Sequence, residues 1–167
     1  MDKLKKKKAW LGLWTFTHKD KNGKIISIEE RQNALADEGE QNMLDQYFRG
    51  QNAPAGFFIR LVNDTPVETD SLSDLTGEPS GNGYTPQALA RSAVGFPTLA
   101  LDNGDFQITS ATVTFTASGG SIGPVSHAIL ATSSDNTGRH IAFVALSQSR
   151  TMADGESLDV SFVGKLQ

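Results

Sequence analysis

Gly119-Gly120-Ser121-Ile122-Gly123 matches the pattern Gly-x-Ser-x-Gly, and Asp135 and His140 follow it. Serine, acid and histidine in that chain order form the charge system of α/β-hydrolases. The serine must then stand on a strained turn from a strand into a helix, over a parallel sheet. Here the flanking segments both read as strands and no helix follows. Three glycines suit a β-connection without any chemistry. Ser121 is therefore expected to be a loop residue, and Ser121→Ala to leave fold and assembly intact.

The other chemical candidates are weaker. The three histidines, His18, His127 and His140, lie far apart in apparent strands, so no helix-borne metal motif exists. Asp102, Asn103 and Asp105 could offer oxygens to calcium, but the spacing and glutamate of a calcium loop are missing, and an Asx-rich turn explains them. Glu38 and Asp45 could be paired carboxylates but fit a solvated helix face. Gly81-Asn82-Gly83-Tyr84 lacks the third glycine and following helix of a phosphate loop. Asn63-Asp64-Thr65 is a formal glycosylation sequon with no secretory signal to give it meaning. Cysteine is absent from the chain, which excludes disulfides and thiolate zinc sites. The expectation is a non-enzymatic protein with no catalytic, cofactor-binding or metal-ligating residue.

The elements around these residues are mostly short strands. Ala111–Thr116 and Ser157–Val163 alternate apolar with Ser, Thr and Asp, and Ser126–Thr132 and His140–Leu146 are longer apolar runs. Alternation places one set on a buried face and the other in water. Strands at this spacing suggest a sandwich or barrel. Phe115, Ile129, Phe143 and Val160 are predicted to face the sandwich interior. Phe57–Val62 reads as a buried strand, Gln87–Ser92 as a short one, and 63–83 as loop with one helical turn at Ser71–Leu75. Between residues 34 and 49 the period changes. Leu35, Ala36, Gly39, Met43, Leu44, Tyr47 and Phe48 fall on one helix face, with Asp37, Glu38 and Glu40 in the first turns and Gly50 as the stop.

The first 31 residues differ from the rest. Trp10–Thr17, then Asn22-Gly23, then Lys24–Ile28 read as a β-hairpin. Residues 1–24 hold eight lysines against two aspartates, a net +6, while the remainder holds seven basic and 17 acidic residues, a net −10. The overall −4 hides this asymmetry. The division expected is a basic arm and hairpin over 1–31 and a body over 32–167. Lys5, Lys6, Lys7, Lys8, Trp10, Trp14 and Phe16 are the candidate interface residues. The lysines would steer the arm onto an acidic partner, and the aromatics would anchor it. Two plainer readings stand beside this one: the lysines keep a strand soluble, and the aromatics are the buried face of the hairpin. The basic surface is too narrow to suggest nucleic acid. With no apolar run near 18 residues, no membrane span is expected, and the N-terminus lacks the apolar region of a signal peptide.

In order, the hairpin around Gly12-Leu13-Trp14, the helix from Asn33-Ala34-Leu35 to Tyr47-Phe48-Arg49-Gly50, Phe57–Leu61, Thr65-Pro66, Gly83–Gln87, Ala111–Thr116, Gly123–Ala131 and Ala145–Val160 resemble small virion structural proteins of tailed bacteriophages. These are the capsid-decoration, head-fibre and minor tail proteins, and the resemblance covers nearly the whole chain. A large aromatic is common in that group where this chain has Ile122. The resemblance implies a virion component assembled in the bacterial cytoplasm. Its partners would be the major capsid protein or tail proteins, and it would be a homo-oligomer. Together these readings predict an antiparallel β-sandwich, jelly-roll-like, with one α-helix and an N-terminal hairpin extension. The expected function is capsid decoration or a head-attached accessory. The alternative is a tail accessory or fibre protein that binds a host-surface glycan.

Overall fold

The computed structural model describes residues 10–166. Two antiparallel sheets stack face to face. The first uses β1 (Trp10–Lys19), β2 (Ile25–Gln32), β6 (Thr98–Asp102), β7 (Asp105–Thr109), β8 (Val113–Thr116) and β11 (Ser157–Leu166), in the order β2-β1-β11-β7-β6. β11 spends one edge on β1, and shares the other between β8, along Ser157–Val160, and β7, along Val163–Lys165. The second sheet uses β3 (Ala34–Leu35), β4 (Gly56–Val62), β5 (Gln87–Ala90), β9 (Ile122–Ala131) and β10 (His140–Met152), in the order β3-β10-β9-β4-β5. The predicted β-sandwich with one helix is the observed fold.

Alternation builds the core between the sheets. Trp14, Phe16, Leu158, Val160, Phe162 and Phe115 come from the first sheet. Ile59, Leu61, Ala128, Leu130, Ala142 and Val144 come from the second and stand in register with one another. The rings of Trp14 and Phe162 stack at 5.3 Å. On the opposite face of the first sheet, Thr15, Thr17, Asp159 and Ser161 are half-buried and polar, as expected.

The second sheet is buried on both faces. Arg60, Val62, Ile129, Ala131 and Phe143 point away from the sandwich, and Leu72 and Leu75 of the 63–83 segment cover them as a second small core. This corrects the prediction for two residues. Phe115 and Val160 face the interior, but Ile129 and Phe143 are register partners on the outer face. The apolar run Ala128–Ala131 carries no alternation because both faces are covered, so periodicity could not separate them. The expected costs differ accordingly. Phe115→Ala should lose about 3–5 kcal/mol, the range for a fully buried ring, and Phe143→Ala about 1–2 kcal/mol because its ring is only partly buried. Paired urea melts check this, and equal losses would contradict the layer assignment.

The helix is shorter than predicted. α1 spans Asp37–Leu44, and Ala34–Leu35 instead pair with β10. A π-helical turn follows over Asp45–Arg49 and ends on Gly50, whose φ of 64° supplies the left-handed stop. The α1 face against β10 is built on Gly39. A Cβ there would lie 2.2 Å from the Ile141 carbonyl oxygen. The turn at Ser71–Asp74 is present as a 3₁₀ turn with a Ser71/Asp74 capping box.

Candidate interaction surface

The residues that could do chemistry are scattered by the sheets. Ser121 precedes the first residue of β9, and His140 opens β10 opposite Ala131, the last residue of β9. At ~3.3 Å per residue the two lie roughly 30 Å apart. Ser121 has its carbonyl oxygen held by Asn82 Nδ2 at 2.8 Å. Asp135 sits in an exposed turn where Thr137 donates to it from both backbone and hydroxyl, holding its carboxyl below the usual range. The Ser-Asp-His order therefore has no common site.

The histidines also separate. His18 lies 3.1 Å from Glu156, and His127 Nδ1 lies 2.9 Å from the Ser126 hydroxyl. His140 is fully buried; its Nδ1 lies 3.2 Å from the Asp70 carbonyl, and its Nε2 has no partner. Burial pushes the pKa of both His127 and His140 below that of free imidazole. The unfolded chain thus binds more protons than the folded one just below the free value. Stability should fall as pH drops through about 6.5. His140→Gln should flatten that decline in melts taken between pH 8 and pH 5, and an unchanged slope would exclude His140 as its source. Among the described residues no group of three or more His, Asp and Glu is placed to hold a metal ion.

The Asx-rich turn is a turn. Asn103 and Gly104, with φ of 51° and 91°, close the two-residue β6–β7 hairpin, a conformation that Asn-Gly favours. Lys165 Nζ lies 3.1 Å from Asp102 and 3.8 Å from Asp105, so one cation serves both carboxylates.

The candidate interface residues divide. Lys5, Lys6, Lys7 and Lys8 lie outside the described residues, as does the side chain of Trp10, whose backbone pairs with Leu166. Trp14 and Phe16 are fully buried. They are core residues and not surface anchors, because β1 lies between β2 and β11 and turns this face inward. The plainer reading of the aromatics holds for these two.

Exposed apolar surface lies elsewhere. Leu99, Leu101 and Phe106 on the β6–β7 hairpin are 70%, 62% and 61% exposed. Tyr47 and Phe48 form an exposed edge-to-face pair, centroids 5.0 Å apart, beside exposed Leu44. The helical period misplaces this pair. A π turn carries more residues per turn than an α-helix, so side chains beyond Asp45 leave the 3.6-residue phase. Asp45 is buried in their stead, between Arg49 and Asn52, each 2.9 Å away. A shallow depression of about 280 Å³ lies on the first sheet, with Leu13, Val163, Gln32 and Gln107 around it. These places expose apolar side chains beside the amides of Gln32 and Gln107 and the Lys165–Asp102 ion pair.

Among known families, the one described as Podophage GP4 fiber I protein gp80 matches residues 34–167. No curated protein matches the chain.

Proposed function

The chain belongs to the podophage GP4 fiber I protein gp80 family, a phage virion structural protein, and on that premise we propose that it is a fibre-type accessory subunit on the virion exterior that acts by contact and not by catalysis. The observation that carries this is the match itself, which covers the helix, the whole second sheet and β6, β7, β8 and β11 of the first. Two further features support it. The hydrolase-like residues stand at opposite ends of β9, and exposed apolar side chains gather on the β6–β7 hairpin and the end of the helix.

A fibre reading replaces capsid decoration as the preferred form of the original expectation. Attachment to the particle is assigned to Lys5, Lys6, Lys7 and Lys8, whose charge would steer the acidic body onto an acidic neighbour. Cryo-electron microscopy of the native particle tests the location. Density for this sandwich within a fibre supports the reading, and copies spread over the icosahedral shell restore decoration. Absence from purified particles removes both. Lys5–Lys8→Glu should abolish incorporation if the lysines attach the subunit.

A further inference from the structure

We propose that β6 is a self-pairing edge, through which two copies of this chain join their first sheets into one continuous antiparallel sheet about a two-fold axis centred on Ala100.

The two sheets have five outer edges, and four of them are short or blocked. β8 has four residues, and Gly83 lies against its Thr116 carbonyl oxygen. β3 has two residues. β5 has four, and the following turn folds back on it: Ser92 N donates to the Ala90 carbonyl at 2.8 Å, and Gly95 presses against the same oxygen. β2 carries Glu29, Glu30 and Arg31 and is tied to β10. Ser147 N donates to Glu29 at 2.9 Å, and Arg31 Nε donates to the Ala145 carbonyl at 3.1 Å. β6 has none of these devices. Thr98-Leu99-Ala100-Leu101-Asp102 pairs with β7 with no bulge, contains no Lys, Arg or Pro, and exposes both leucines. Natural sheets guard such edges because they recruit other strands.

The geometry points to a second copy. In a two-residue hairpin the flanking residues, Asp102 and Asp105, are a hydrogen-bonded pair, and so are Ala100 with Gln107 and Thr98 with Thr109. The N–H and C=O groups of Leu99 and Leu101 therefore point to the open edge. Antiparallel pairing centred on Ala100 sets Leu99 against Leu101 of the second copy and matches every one of those groups. Ala100 then faces its own copy at the closely spaced central position, where a small side chain fits. On one face the leucines of both copies meet, flanked by Phe106. On the other, Thr98 faces Asp102 of the second copy. The protein already uses that pairing: Thr114 and Asp159 are opposed in the β8–β11 register, and the hydroxyl donates to the carboxylate at 2.7 Å.

A five-residue edge with three apolar side chains buries less than the roughly 1,200 Å² of a standard stable interface. The contact is weak in solution, and tethering of many copies on one particle would strengthen it. The inference goes beyond the fibre reading and is tested without a virion.

Because cysteine is absent from the chain, single cysteines report the register cleanly. Ala100→Cys in the full-length chain should cross-link to itself under mild oxidant, giving a doubled mass on non-reducing gels. Thr98→Cys and Asp102→Cys should each cross-link poorly alone but efficiently when mixed. Asn22→Cys, in the exposed turn beside the opposite edge, is the control and should stay monomeric. Leu101→Lys, at an exposed position, should keep the melting temperature and weaken concentration-dependent association in sedimentation at least tenfold. The proposal is overturned if Ala100→Cys cross-links no faster than Asn22→Cys, or if Leu101→Lys associates like the native chain. It is also overturned if Ala100→Cys cross-links in particles only to a protein of different mass, which would make β6 an edge for another subunit.

Discussion

A chain that starts at Gln32 should fail to fold. Deleting residues 1–31 removes β1, which pairs with β11 along ten positions from Trp10–Leu166 to Lys19–Ser157, and it leaves β11 with one edge bare. It also removes Trp14 and Phe16, both fully buried. Loss of one such ring costs about 3–5 kcal/mol. Two rings come to about 6–10 kcal/mol, comparable with the whole stability of an ordinary domain, about 5–15 kcal/mol, before the lost strand pairing is counted. The expected product lacks a cooperative thermal transition and exposes apolar surface to a dye. A folded truncated body with an unchanged melt would mean that β1 is an appendage despite its place in the sheet. The same geometry decides how the N-terminal lysines must be tested. Deletion would confuse loss of attachment with loss of fold, so charge reversal at Lys5–Lys8 is the informative change.

Glu78→Ala should destabilise the chain by about 3–5 kcal/mol, the usual cost of stripping one partner from a buried ion pair. Arg60 is 1% exposed and stands on the outer face of the second sheet. Its guanidinium holds Glu78 through Nε at 3.0 Å and Nη2 at 2.5 Å, and reaches the Asp135 carbonyl and Asn136 Oδ1, each at 2.8 Å. Tyr84 adds its hydroxyl, donating to Glu78 at 2.5 Å and receiving the Leu61 backbone N–H at 3.0 Å. Burial, and then the Glu78 carboxylate, push the Tyr84 phenol far above its ordinary pKa, so it stays a donor at every working pH. This network pins the 63–83 segment and the 132–138 loop to the sheet. Without Glu78 a full cation is left buried and unpaired. Arg60→Met with Glu78→Leu removes both charges and should recover at least about 1 kcal/mol of the loss. Urea melts measure both, and limited proteolysis should show the two loops opening together in Glu78→Ala. A double variant as unstable as the single one would mean that loop anchoring, and not the stranded charge, sets the cost.

Much of the fold was legible because local rules agreed with the final packing. Val113–Phe115 and Leu158–Phe162 alternate and do lie with one face in the core and one in water. Asn103-Gly104 asked for positive φ and closes a hairpin. The glycine-serine motif was rightly read as a connection: it crosses from β8 of the first sheet to β9 of the second and leads into a strand, with no helix to form an elbow. Tyr47 and Phe48 were misread because periodicity assumes an unbroken α-helix, and the π turn shifts the phase.

Composition and alternation were enough to establish an all-antiparallel body, the absence of thiol chemistry and the uneven distribution of charge. Those properties depend on residue type and near neighbours alone. Contacts between distant residues settled the rest. Trp14 and Phe16 became core because β11, about 145 residues further along the chain, takes up the inner edge of β1. Ile129 and Phe143 went to the outer face because the 63–83 segment arrives to cover it. β6 was left as the open edge because β2 is tied to the remote β10, the turn after β5 folds back on it, and β3 and β8 are short. A strand's pattern states which side chains need burial, but which face is buried, and which edge stays free, depends on partners that only long-range closure of the chain brings together.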